Sequence, residues 1–168
     1  MIPSDHFVRF YNEVFKFLSE KNELQEYYQK ISRHQEFHCL KDFRERGLQG
    51  VYDYYLKIRK EENCDLDIIL NDGELVLKMN KCPSLSKAID NDAGVCPEYC
   101  LHCPGWTAPL YQKAGIYQVF DIMGTDNPQC IEFLYEDVER ARAKYKELLR
   151  TRPAEELTIN VDLKITTD

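Results

Sequence analysis

Residues 65–80 read "DLDIILNDGELVLKMN", and the fold turns on them. Two runs rich in β-branched and aliphatic residues, "DLDIIL" and "ELVLKMN", flank the turn-forming "NDG". Turn residues between two such runs are the strongest short-range signal for a β-hairpin. Upstream of this point the hydrophobic pattern is helical, and downstream it mixes strands with short helices.

Working outward toward the N-terminus, Phe7, Phe10, Tyr11, Val14, Phe17 and Leu18 recur at the three- and four-residue steps of an amphipathic helix over residues 4 to about 21, with Ser4 as its N-cap. A second helix is predicted from about Glu23 to Arg46, with Leu24, Tyr28, Ile31, Phe37 and Leu40 inward and Gly47 as its stop. A third runs from Gln49 to Glu62.

Toward the C-terminus, Cys82-Pro83 leads into a short helix, "SLSKAID". A cysteine-rich loop, "CPEYCLHCPGW" (residues 96–106), follows, and "GWTAPLYQKAG" reads as a further short helix closed by Gly115. "IYQVFDIMG" and "QCIEFLYED" read as strands joined by the turn "TDNP". Residues 137–150 form a last helix ended by Pro153, and the alternating tail from 154 to 168 suits an edge strand or an extended arm. The expectation is one α+β domain: a helical part over 1–62, a core of antiparallel sheet and cysteine loop over 65–136, then the helix and the tail.

The chain has 168 residues, of which 43% are hydrophobic and 12% aromatic, so it can bury a core without cross-links. A formal charge of −7, with no basic stripe, repels a phosphate backbone and excludes nucleic acid as a partner. No apolar run reaches the roughly 20 residues that a membrane helix needs. The opening "MIPSDHFVRF" lacks a charged region followed by an apolar one, which points to a cytoplasmic protein.

Seven cysteines in such a chain point to metal binding or thiol chemistry rather than to disulfides. Cys96, Cys100 and Cys103 follow a CxxxCxxC spacing, and Cys82 ends a predicted strand, so these four thiolates are candidate ligands of one metal centre. The prolines after Cys82, Cys96 and Cys103 restrict the backbone and lower the entropy lost on binding. Zinc accepts four tetrahedral thiolates, or three with His102. A four-iron, four-sulfide cluster, which also takes four thiolates, is the alternative. Cys39 and Cys64 read as packing residues.

Other chemistries lack their signatures. His34 and His38 share a helix face, but "HQEFH" lacks the glutamate directly after the first histidine that metalloprotease helices carry. No GxSxG elbow, Walker loop or GxGxxG fingerprint is present. CxxxCxxC is also the cluster motif of radical S-adenosylmethionine enzymes, but too few residues follow Cys103 here for their α/β barrel. Asp65 and Asp67 alternate on a strand and read as solvated.

The segments "KCPSLSKAI" and "MGTDNPQCIEF" resemble the 2-aminothiazoline-4-carboxylate hydrolase-like family and the related 4-vinyl reductase-like ligand-binding domains. They match a Cys-Pro segment after a strand and a glycine-turn-Cys-x-x-Phe segment, which places Cys82, Gly124, Cys130 and Phe133 at corresponding positions. The resemblance covers roughly residues 65–136. It implies an antiparallel sheet lined by helices and a small-molecule pocket. Related phenol-sensing domains hold zinc beside that pocket through cysteines at the positions of Cys130 and Ile122 and an acidic ligand at that of Val119. Isoleucine and valine stand at two of these positions here.

Two functions follow. One is a hydrolase that opens a small heterocycle or amide, with Cys82, Cys96, Cys100 and Cys103 as metal ligands, His102 as acid-base group and Cys130 as a catalytic thiol. The other is a ligand or redox sensor with a structural four-cysteine metal site, acting through a partner or as a homodimer. In both, Trp106, Tyr111, Tyr117 and Phe120 are candidates to line the pocket.

Overall fold

The computed structural model describes residues 3–90 and 94–161. Strands β1 (Asp65–Asn71) and β2 (Glu74–Lys81) form the expected hairpin around Asp72-Gly73, with Asn71 opposite Glu74. Strands β3 (Tyr117–Asp121), β4 (Cys130–Tyr135) and β5 (Leu157–Ile159) complete a five-stranded antiparallel sheet in the order β1-β2-β4-β3-β5. The tail thus supplies an edge strand; its residues beyond 161 lie outside those described.

Around the sheet lie α1 (Pro3–Glu20), α2 (Leu24–Glu61), α3 (Pro83–Ile89), α4 (His102–Ala114) and α5 (Val138–Leu148). The fold is α+β, with the N-terminal helices preceding the sheet. Among the described residues no helix is long and apolar enough to cross a membrane.

Strand periodicity divides the sheet into two faces. Leu66, Leu75, Leu77 and Leu134 point toward α2 and α4, where they pack with Phe43, Leu48, Val51, Leu110 and Tyr111 in the main core. Val119 and Tyr135 face the other way, onto Ala141 of α5, with Tyr117, Phe133, Tyr145 and Leu148 around them. A further core encloses the cysteine-rich segment: Phe15 of α1, Leu24 and Tyr28 of α2, Leu85 and Ala88 of α3, and Cys96 and Tyr99.

The two helices expected over 23–46 and 49–62 are one helix kinked at Gly47, whose φ of 55° and ψ of −137° suit only glycine. The kink frees the N–H of Leu48, which donates to Glu136 Oε1 at 3.2 Å. The same oxygen occupies the place that a Cβ on Gly47 would take. Gly105 has a different reason: α4 approaches α2 so closely that a Cβ there would meet the Tyr28 ring at 2.6 Å.

The inward face predicted for α1 is rotated. Phe15 is its buried aromatic, flanked by Val8, Tyr11 and Leu18, whereas Phe7, Phe10 and Phe17 are exposed. Phe37 of α2, also expected inward, is exposed as well. Phenylalanines recur on both sides of α1, so spacing alone selects no face; the side that meets α3 and the cysteine segment is decided by packing.

Candidate functional site

A cavity of about 240 Å³ lies between the sheet and the helices α2 and α4. The sheet contributes Leu66, Leu77, Met79, Phe120, Cys130 and Glu132; α2 contributes Gln35, Cys39, Phe43, Tyr54, Tyr55 and Ile58; α4 contributes Cys103, Trp106, Thr107, Leu110 and Tyr111. Such a lining, mostly apolar and aromatic with a few converging polar groups, is that of a small-molecule site.

The polar groups form one buried network. Gln118 Nε2 donates to Glu132 Oε1 at 2.5 Å and to Thr107 Oγ1 at 2.7 Å. The Thr107 hydroxyl in turn donates to the Cys103 carbonyl at 2.9 Å. The Tyr111 hydroxyl donates to that of Tyr55 at 3.2 Å, and both tyrosines lie close enough to Glu132 to feel its charge. Burial pushes Glu132 up to about 7, against the opposing hydrogen bond from Gln118. Trp106 adds a buried indole Nε1–H that has no protein partner.

A second, smaller cavity adjoins the first, lined by Cys82, Cys100, Cys103 and Cys130 together with Leu85, Tyr99, His102, Phe120 and Gln129. The chain reaches it from three directions. Cys82 directly follows β2 and caps α3, its Sγ accepting from the Leu85 N–H at 3.4 Å. Its own N–H donates to the Pro128 carbonyl at 2.6 Å, which holds it beside the start of β4 and hence beside Cys130. Cys100 lies in a 3₁₀ turn (Tyr99–Leu101), and Cys103 in the first turn of α4.

All seven cysteines are free thiols. Burial is the largest influence on the four around the cavity: it pushes Cys100 up to about 12 and raises Cys82, Cys103 and Cys130 above the ordinary thiol value. Proximity adds to it, since Cys103 feels Cys130, Cys82 and Cys100, Cys130 feels Cys82 and Cys100, and Cys100 feels Cys82. Among the described residues, no three His, Cys, Asp or Glu side chains are grouped as ligands of a single metal ion.

Cys96 stands apart from this cavity. It is buried against Phe15 and Tyr28, and its N–H donates to Asn12 Oδ1 at 2.8 Å. Spacing along the chain suggested Cys96 as the partner of Cys100 and Cys103. The fold brings Cys130 to that place instead, because β4 runs beside the end of β2.

His102 lines the smaller cavity and not the larger one. Its Nδ1 is 2.5 Å from the Tyr99 carbonyl, which only accepts, so Nδ1 carries the proton and Nε2 faces the Cys103 thiol at 3.3 Å. Burial pushes it down to about 4, so the ring stays neutral.

Of the aromatic candidates, Trp106, Tyr111 and Phe120 line the larger cavity. Tyr117 does not: it is three residues from Phe120 on β3, which turns it to the opposite face, onto α5. His34 and His38 are exposed on α2, whereas Cys39 is a cavity wall. Val119 and Ile122, where the phenol-sensing domains carry zinc ligands, are buried aliphatic side chains without a donor atom, so that zinc site does not fit this chain.

Glu132, Gln118, Thr107 and Tyr55 escape a motif search. The available signal for Glu132 was its phase, two residues from both Cys130 and Leu134, which puts a charge among inward positions of a strand. Compared with protein-family models, with curated proteins and with solved structures, the chain matches none.

Proposed function

We propose that this protein binds a compact, single-ring organic ligand in the cavity between α2, α4 and the sheet. The observation that carries the reading is a largely apolar cavity of about 240 Å³ with one buried carboxyl, Glu132, on its wall. Aromatic rings and aliphatic side chains supply the area, Glu132 takes an N–H donor or a cationic nitrogen, and the unpartnered Trp106 indole N–H offers itself to an acceptor. The 2-aminothiazoline-4-carboxylate skeleton, a five-membered ring with an amidine nitrogen and acceptor groups, has both features. That agreement and the "KCPSLSKAI" and "MGTDNPQCIEF" segments support the family reading.

The chain contains a single tryptophan, and it is a cavity wall. Titration of 2-aminothiazoline-4-carboxylate, with phenol as the ring lacking an amidine, is therefore read directly in Trp106 fluorescence. Saturable quenching by the aminothiazoline is expected, weakened in Glu132→Gln and abolished in Ile58→Phe, which fills the void. Quenching that never saturates, or that ignores Ile58→Phe, overturns the reading.

Glu132 also favours a second reading, in which the pocket hydrolyses the ring. Water adds, a ring C–S or C–N bond breaks, and the Glu132 carboxylate accepts the proton of the attacking water. Cys130 is less suited to attack, because burial keeps its thiol protonated. Incubation followed by mass spectrometry decides: a product heavier than the substrate by one water, absent with Glu132→Gln, supports hydrolysis, and unchanged substrate leaves binding alone.

A further inference from the structure

We propose that Cys82, Cys100, Cys103 and Cys130 together hold a four-iron, four-sulfide cluster in the smaller cavity. The inference is independent of the ligand reading, although the two cavities share Cys103, Phe120 and Cys130 as a common wall.

The arrangement of the thiols separates a cluster from a single ion. Zinc binds sulfur at about 2.3 Å, so four thiolates around one zinc must converge on a point. Here they surround a space instead: all four line the same cavity, entering it from the end of β2, the 3₁₀ turn, the first turn of α4 and the start of β4. A four-iron cluster asks for that geometry, because each iron takes its own thiolate and the cluster's sulfides fill the middle.

The surroundings suit a buried cluster. Leu85, Tyr99 and Phe120 shield it from water, and the Leu85 N–H already donates to the Cys82 sulfur, the kind of hydrogen bond that tunes cluster potential. Ligation replaces the proton of each thiol with iron. Cys103 and Cys130 are also walls of the neighbouring cavity.

The test is made on full-length protein purified without oxygen. About four iron and four acid-labile sulfide per chain are expected, with a brown chromophore that bleaches on reduction. Cys130→Ser should lose most of both, and Cys96→Ala should keep them, the reverse of what chain spacing favours. Circular dichroism identifies any variant that fails to fold. For that case wild-type protein stripped of metal is offered ferric iron, sulfide and dithiothreitol, the dithiol reducing half of the iron as it closes to its disulfide: uptake of both elements supports the proposal, and failure to take them up overturns it. Zinc without sulfide in the purified protein, or loss of iron in a folded Cys96→Ala but not in Cys130→Ser, overturns it too. Trp106 quenching measured on the metal-free protein reads the ligand pocket separately.

Discussion

The side-chain amide of Gln118 lies 2.5 Å from the Glu132 carboxylate on the adjacent strand, and both residues are almost fully buried. A carboxyl in this position is held in place by a hydrogen bond and held near neutrality by burial. Its charge therefore costs the fold more as the pH rises.

Glu132 is shifted from 4.5 to about 7, so the folded state favours the protonated acid. Below its unfolded value the group costs nothing; as pH rises from 4.5 through 7 the favourable contribution of the neutral form is lost. Measured on metal-free protein, Glu132→Gln should gain on the wild type across this window, by at most on the order of 3 kcal/mol at about pH 8. Denaturant melts at acid and alkaline pH check it. A stability gap that does not change with pH contradicts the assignment.

Gly47→Ala should destabilise the protein by more than the roughly 1–3 kcal/mol of backbone strain alone, because the new Cβ also displaces Glu136 from the Leu48 N–H. Urea denaturation measures the loss. Gly115→Ala is a useful comparison, since its φ is also positive but nothing lies within 4 Å of the added Cβ.

Asn12 is fully buried and bridges α1 to the cysteine segment, accepting from the Cys96 N–H at 2.8 Å and donating to the Gly94 carbonyl at 2.7 Å. Asn12→Leu strands both backbone groups, at a cost of about 1–3 kcal/mol each. The segment should loosen, seen as faster alkylation of Cys96 while Cys39 keeps its wild-type rate.

Asp121, at the end of β3, is paired through both oxygens with Arg152 Nε, at 3.2 and 3.0 Å. Arg152→Met leaves that buried carboxylate with only the Met123 N–H, at 3.1 Å, and should cost about 1–3 kcal/mol, the Arg152 end of the pair being partly exposed. Replacing both residues, as Asp121→Asn with Arg152→Met, should recover part of the loss in thermal melts.

The hairpin, the late strand pair and the α5 helix were legible because each is a local pattern: alternation, a turn composition, a helical repeat. Gly47 was legible as a break for the same reason, although the helix continues through its kink. The α1 face was not, since its phenylalanines satisfy the helical spacing on more than one side. Tyr117 was misplaced because strand phase, not proximity to Phe120, decides which side of β3 a residue takes.

By itself the sequence determined the α+β class, the acidic net charge, and a concentration of thiols between β2 and β4. Which thiols meet was decided only by tertiary structure. Hydrogen bonding of Cys82 to Pro128 and the pairing of β2 with β4 draw Cys130 in, while Asn12 and Phe15 hold Cys96 away. Strand pairing joins residues far apart in the chain, so no spacing rule along it reports that contact. The carboxyl of Glu132 became part of a site in the same way, when α2 and α4 closed over its face of the sheet.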